Sequence, residues 1–326
     1  MKQPLVSVII PTYNYVHYIT QAIDSVINQT YPTECIEIVI VDDGSTDNTQ
    51  QVIQPYIDKG IARYFYQQNQ GKANATHFAI QQSNGEFIFN LDADDFYYPE
   101  KIAKSVDIFE QYPDVVHVSN PAHTVYDDRE SDKYEVIPEE ILEKPLDGNW
   151  LSAYFFDRHI LFGGGSTYAA RASVLKQIQT PTSVDMYIDE FLLLAIFPLG
   201  KSYFLRESLS VWRGHNTNYS GKTVTAAGKF AKGQRLLSSS EGVLKYLEEN
   251  NIDKHVVDIY RLHHLTRCIA FKENQGIKSL GDIMKYSYQV FFKIRPNWSL
   301  VKKYHVMNRL LPGKSLSMLK SLLKSK

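Results

Sequence analysis

Val6, Val8, Ile9 and Ile10 form a short apolar run that stops at Pro11. Ile19, Ala22, Ile23, Val26 and Ile27 then recur at the three- and four-residue steps of a helix face, with Pro32 beyond its end. Residues 36–41 are a β-branched run of strand length ending at Asp42, and Ser45-Thr46-Asp47 offers capping side chains ahead of Val52, Ile53, Tyr56 and Ile57. A third strand is expected over 62–66, a helix around Ala75, Phe78 and Ala79, and a fourth strand over 87–91. This β-α-β-α-β-α-β order predicts a mainly parallel, doubly wound, Rossmann-like α/β sheet.

The polar residues are not scattered. Thr12-Tyr13-Asn14, Asp42-Asp43-Gly44-Ser45, residues 69–74 and Asp92-Ala93-Asp94-Asp95 each follow a predicted strand directly. Ligands of open parallel sheets bind outside the carboxyl ends of the strands, so four polar clusters should meet on one rim. That points to a nucleotide-type site.

Beyond residue 100 the pattern is mixed. A strand is expected over 115–118, a charged, loop-rich stretch over 127–143, and a small strand over 167–170 behind Gly163-Gly164-Gly165-Ser166. An apolar helix with acids at its start covers 187–197, followed by short strands over 203–205 and 209–212. A polar linker follows His215 to about residue 222, and the rest reads as helical. Three parts are expected: 1–100, 101–220 and a helical, basic extension over 221–326.

Composition narrows the class. With 326 residues, 44% hydrophobic and 22% charged, the chain can bury a core, and disorder throughout is excluded. Cys35 and Cys268 are its two cysteines, too few for a disulfide framework or a Cys-rich metal site, and a reducing compartment fits. Met1-Lys2-Gln3-Pro4 shows no signal-peptide pattern, and the longest nearly uncharged apolar stretch, 191–200, is half a membrane span. A cytoplasmic protein is expected. The net charge of -1 hides an asymmetry, because residues 271–326 carry +10 and residues 1–270 carry -11. In the basic end Leu310, Leu311, Leu316, Met318, Leu319, Leu322 and Leu323 alternate with lysines, a pattern for an interfacial helix on the inner face of an anionic membrane. A solvated tail or an oligomer contact is the alternative. Nucleic acid is not an expected partner, since no aromatic-interleaved basic face exists.

Asp92, Asp94 and Asp95 crowd like charges onto one turn, where a hard divalent cation is the natural partner. A helix cap or Asx-turn would use the same residues. Tyr13 is placed to stack on a base or simply to pack. Lys72, beside Gly71, is placed to reach a phosphate or to sit in water.

Ser7-Val8-Ile9-Ile10-Pro11-Thr12-Tyr13-Asn14, then Gln29-Thr30-Tyr31, Val41-Asp42-Asp43-Gly44-Ser45-Thr46-Asp47 and Leu91-Asp92-Ala93-Asp94-Asp95 come in a set order and spacing. Together they resemble the family 2 glycosyltransferases of the GT-A fold, densely over 5–100 and more weakly to about 220. The resemblance implies a nucleotide-sugar donor with a UDP or TDP leaving group, a divalent metal (Mn²⁺ or Mg²⁺), and inversion at the anomeric carbon. It implies that Pro11, Thr12, Tyr13 and Asn14 line the nucleotide, and that Asp43, with Asp42, holds the base or ribose. Lys72 would face a phosphate, Asp92 and Ala93 the ribose or sugar, and Asp94, Asp95 and His215 the metal-bridged diphosphate. Thr76 and His77 stand where many members carry an Arg-Asn pair, a departure that leaves Lys72 as the positive charge at hand.

The segments Asp189-Glu190-Phe191-Leu192-Leu193-Leu194-Ala195 and Leu209-Ser210-Val211-Trp212-Arg213-Gly214-His215 resemble the acceptor-side signature of the same family. There an aspartate opening the helix is the base, which implies Asp189, with Glu190 second. A carboxylate at a helix N-terminus also suits the macrodipole without any catalysis. Gly163, Gly164 and Gly165 would let an acceptor approach, or merely turn the chain. The expected activity is sugar transfer to a hydroxyl of a glycan or lipid-linked acceptor in cell-surface polysaccharide synthesis. A sugar-phosphate nucleotidyltransferase and a non-catalytic nucleotide-sugar-binding protein are the rival readings.

Overall fold

The computed structural model describes residues 3–127, 133–158, 160–215, 225–277 and 279–293, with residues 156 and 157 described through their backbone. Contacts divide the chain into two compact units, Met1–Phe155 with Ile160–Gly221, and Phe156–His159 with Lys222–Lys326.

The first unit holds twelve strands among the described residues: β1 (Val6–Thr12), β2 (Ile36–Asp42), β3 (Ala62–Tyr66), β4 (Phe87–Asn90), β5 (Phe96–Tyr97), β6 (Val115–Ser119), β7 (Ala122–Tyr126), β8 (Lys133–Tyr134), β9 (Leu146–Asp147), β10 (Ala169–Arg171), β11 (Lys201–Phe204) and β12 (Ser210–Gly214). Helices α1 (Ile19–Ile27), α2 (Thr49–Asp58), α3 (Lys72–Gln82), α4 (Lys101–Gln111), α5 (Gly148–Arg158), α6 (Ala172–Leu175) and α7 (Ile188–Ile196) connect them. Eight strands form one sheet in the order β3-β2-β1-β4-β10-β6-β11-β9, and β5-β12-β7-β8 form a second.

The predicted β-α-β-α-β-α-β half is present, with β1 parallel to both β2 and β4, and β2 parallel to β3. Its floor is apolar on both faces. Val6, Val8, Ile10, Ile38 and Ile40 are buried with Ile19, Ile23 and Val26 of α1, each worth about 1.5–3 kcal/mol of burial. Register then sets the rim: Thr12 lies opposite Asp42, and Asp42 opposite Tyr66, so β1, β2 and β3 end level.

Two features depart from the sequence reading. β10 runs antiparallel between β4 and β6, and β9 antiparallel on β11, so the large sheet is mixed at that side. The reversal carries a consequence for the site, because the residues leading into β10 arrive at the same rim where β4 ends. The mixed stretch after residue 100 also contains α4, whose Ile102, Val106 and Phe109 are buried, and the second sheet, which the pattern did not separate. Smaller shifts occur at the edges. Residues Gly165–Thr167 form one 3-10 turn, so the expected strand at 167–170 begins at Ala169. Of the 45–47 trio, Asp47 starts α2, its Oδ1 accepting from Thr49 N and Oγ1.

The second unit is helical: α8 (Ala226–Glu249), α9 (Lys254–Asn274) and α10 (Leu280–Tyr288), with a π turn at Gln289–Lys293. Thr225 caps α8 by accepting from Gly228 N, and Asp253 caps α9 by accepting from His255 N. No helix among the described residues is long and apolar enough to cross a membrane. The expected linker after His215 and the leucine–lysine pattern of residues 310–323 lie outside the described residues.

Candidate active site

The rim is built from strand ends and is held by hydrogen bonds between them. Asn14, in the left-handed region at φ 60°, closes β1 against the next loop. Its Oδ1 accepts from Thr46 N at 2.7 Å and from Asp47 N at 3.3 Å, and its N–H donates to Ser45 Oγ. Tyr13 stands exposed beside it, while Pro11 and Thr12 are buried. Thr12 Oγ1 is buried with no hydrogen-bond partner among the described residues, an uncommon state for a hydroxyl.

The paired aspartates after β2 divide their work. Asp42 accepts from Ser45 N and from the Tyr64 hydroxyl, each at 2.8 Å, which ties β2 to its own turn and to β3. Asp43 accepts from Gln67 Nε2, Gln70 N and Gly71 N, and so holds the loop that leads into α3. Gly71 sits at φ +90°, and a Cβ there would lie 2.1 Å from Asp185 Oδ1, so only glycine lets the loop pass.

Lys72 follows at once and is half-buried between carboxylates. Its Nζ donates to Asp92 Oδ2 at 2.7 Å and lies 3.5 Å from Asp189 Oδ2. Burial alone would lower its pKa, but Asp189 and Asp92 together hold the ammonium well above the ordinary lysine value. One cation thus bridges the turn after β4 and the start of α7.

That turn is clamped from two sides. Ser166 Oγ accepts from Asp92 N and donates to Asp95 Oδ2 at 2.5 Å, and Arg213 N donates to Asp95 Oδ1 at 2.9 Å. Arg213 also donates through Nε to the Asp94 carbonyl, pairs with Asp127, and lies over the Tyr18 and Phe96 rings. Asp94 Oδ2 lies 3.0 Å from His215 Nε2, and burial, then the Asp94 and Asp92 charges, raise the pKa of the Tyr15 hydroxyl. The Tyr18 ring stacks on His215 at 4.5 Å.

Oxygens of Asp92, Asp94 and Asp95 lie within 4.8 Å of one another. Burial, reinforced by Asp92, raises the Asp94 carboxyl above its usual range; burial, then Asp94 and Asp92, raises Asp95 further. The crowded oxygen donors fit a hard divalent cation, which would relieve this repulsion. Asp95 is held through both oxygens by Ser166 and Arg213 and Asp92 through both by Lys72 and Asn90, while His215 lies on Asp94 Oδ2, and the three carboxylates together are the group that could hold an ion.

Asp189 lies in the first turn of α7, which begins at Ile188 after Tyr187 in the left-handed region at φ 61°. About a third of its side chain is open, 36%. Burial pushes its carboxyl above the usual range and the Asp92 charge adds to this, while Lys72 and the Gly165 N–H pull it back. Glu190 is the next residue on the same turn and is half-buried. The glycine run, expected to face an acceptor, packs against this base candidate. A Cβ on Gly164 would lie 3.1 Å from Asp189 Cβ. Gly164→Ala is therefore expected to displace Asp189 and lower kcat by about 10²-fold while donor affinity, measured by calorimetry, changes little. An unchanged kcat would count against the packing role.

Tyr15, Tyr18, Ser166 and Arg213 build the site but carry no role in the sequence reading, and neither does Lys101. The last is fully buried, donates to Asn120 Oδ1 and to Thr167 O at 2.5 Å, and so fixes the 3-10 turn that carries Ser166. Burial pulls its pKa down to about 7.

Comparison with known proteins gives this geometry its setting. The family described as glycosyl transferase family 2 matches residues 7–178, just over half of the chain. An uncharacterized glycosyltransferase of Nostoc sp. is 33% identical over 224 residues, 65% of this chain and 66% of that protein. One from Rickettsia felis is 40% identical over 141 residues, 43% of this chain and 23% of that protein. The matched stretches thus span less than two thirds of either relative. Among solved structures, S. aureus TarS 1-349 in complex with UDP-GlcNAc superposes with a TM-score of 0.65 at 18% identity, over 87% of this chain and 81% of that one. Mannosyltransferase PcManGT from Pyrobaculum calidifontis, in complex with GDP-Man and Mn²⁺, gives 0.55 at 18% identity, over 94% and 86%. These likenesses establish the GT-A scaffold with a helical C-terminal region, and the match over residues 7–178 places this chain in glycosyl transferase family 2.

Proposed function

We propose that this glycosyltransferase moves a sugar from a UDP- or TDP-sugar to a hydroxyl of a glycan or lipid-linked acceptor, with inversion at the anomeric carbon. The observation that carries the reading is the pairing of Lys72 with both Asp92 and Asp189, which joins donor-side and base-side carboxylates in one cleft. The UDP-GlcNAc bound by TarS supports a uridine donor, and the chondroitin synthase of Escherichia coli, 38% identical over 109 residues, supports a polysaccharide product.

In this reading Thr12 and Tyr13 line the nucleotide, and Asn14 and Asp43 hold the loops around it. Asp94, with Asp92 and Asp95 beside it, would hold a divalent ion, Mn²⁺ or Mg²⁺, which when bound would neutralise charge on the departing diphosphate. The Mn²⁺ in PcManGT supports that choice. His215 orients Asp94, and Asp95 orients the turn. Asp189 takes the proton of the acceptor hydroxyl as that oxygen attacks the anomeric carbon. Lys72 keeps Asp189 ionised and directed into the cleft. Synthesis of a cell-surface polysaccharide and peripheral attachment to an anionic membrane belong to the same reading.

Thermal-shift screening of nucleotide sugars with and without Mn²⁺ tests it, because a ligand bound by the native state alone raises Tm by mass action. A UDP- or TDP-sugar should raise Tm only when the cation is present. A shift with a guanosine donor alone would replace the proposed base, and no shift with any donor would contradict a donor site.

A further inference from the structure

The helix α10 and the π turn behind it present two apolar faces. Ile283, Tyr286 and Val290 are buried in the helical unit. Leu280, Met284, Tyr288 and Phe292 point the other way and are 45%, 65%, 51% and 68% exposed. They recur every four residues. A π turn closes i→i+5 bonds and winds less per residue, which keeps Phe292 near Tyr288, ring centroids 5.4 Å apart. The acid of this helix, Asp282, is paired with Lys272 at 2.5 Å, whereas Lys285 and Lys293 are exposed beside the stripe.

We infer that this face docks on an anionic bilayer, with Leu280, Met284, Tyr288 and Phe292 entering the boundary between headgroups and acyl chains and the lysines lying among the phosphates. Charge complementarity selects the occupant: residues 271–326 carry +10 in a chain of net charge -1. Amphipathic helices with aromatic and aliphatic residues on one face and lysines at its border bind in this way. A second copy of the chain is a poorer fit, since four side chains on one helix offer a small part of the roughly 800 Å² per partner that a stable interface buries. The inference deepens the peripheral-membrane part of the proposed function. Its test does not use sugar transfer, so vesicle binding can fail while the donor still binds, and the reverse.

Flotation of the full chain with phosphatidylcholine vesicles, alone or with about 30 mol% phosphatidylglycerol, reads it directly. The protein should float with the anionic vesicles and stay behind with the neutral ones, and about 0.5 M salt should release it by screening. The triple variant Met284→Ser/Tyr288→Ser/Phe292→Ser should lower the partition coefficient about tenfold or more. Phe292→Trp guards against a variant that fails to fold, because its emission should shift to the blue when anionic vesicles are added. No flotation at low salt, equal recovery with neutral vesicles, full binding by the triple variant, or no blue shift would each overturn the proposal. So would a concentration-dependent dimer that the triple variant abolishes, with no vesicle binding.

Discussion

Replacing Asp189 with asparagine is expected to lower sugar transfer by about 10²–10⁴-fold while donor affinity stays within a few fold, the usual worth of a general base. The substitution keeps size and hydrogen bonding at the start of α7 but cannot accept a proton. Donor affinity should survive because the carboxylates after β4 and the loop held by Asp43 are untouched. The pH profile adds a sign. Transfer needs Asp189 ionised, and its pKa is raised by burial and by Asp92, so activity at saturating donor should be lost on acidification at a higher pH than an ordinary aspartate would set. Lys72 pulls that pKa down, so Lys72→Met should move the acid limb to still higher pH. Near wild-type transfer by Asp189→Asn would place the base elsewhere, with Glu190 next in line.

The second large effect is expected from Asp94→Ala, read by calorimetry of UDP or TDP with and without Mn²⁺. Even an outer partner of a metal ligand is worth about 10–100-fold in affinity, so the loss of a ligand itself should cost at least that in cation-dependent binding. Stability should respond differently. Burial and Asp92 raise the Asp94 pKa, so its ionised form costs the fold stability as pH rises past the ordinary carboxylate value. Removing it removes that repulsion, and the Tm measured without a cation should hold. Unchanged, metal-independent nucleotide binding in the variant would contradict the placement of the ion.

Much of this site was legible because apolar runs end abruptly. Val41 gives way to Asp42, and Leu91 to Asp92, so strand ends and polar clusters could be placed without coordinates. Strand direction could not. β10 has three residues, and nothing in Ala169-Ala170-Arg171 says that it runs against β4, although that reversal delivers Ser166 and the glycine run to the rim. In α4 the steps Ile102, Val106, Phe109 lay unread within a mixed stretch, and Lys101 beside them reads as a surface residue and is fully buried. Tyr15, Tyr18 and Arg213 gave no periodic signal, because their roles depend on partners far along the chain. The division of labour between Asp42 and Asp43 was hidden for the same reason: two adjacent aspartates look alike until Tyr64 and Gly71 are seen to choose between them.

The account stands on one displacement at the anomeric carbon, with Asp189 as the base and no covalent sugar on the protein. Rapid proton NMR of the sugar released when water replaces the acceptor tests this directly, using whichever donor raises Tm in the presence of Mn²⁺. The first-formed sugar should have the anomeric configuration opposite to that of the donor, before mutarotation mixes the two forms. A first-formed product that keeps the donor's configuration would contradict a single displacement and, with it, the role given to Asp189.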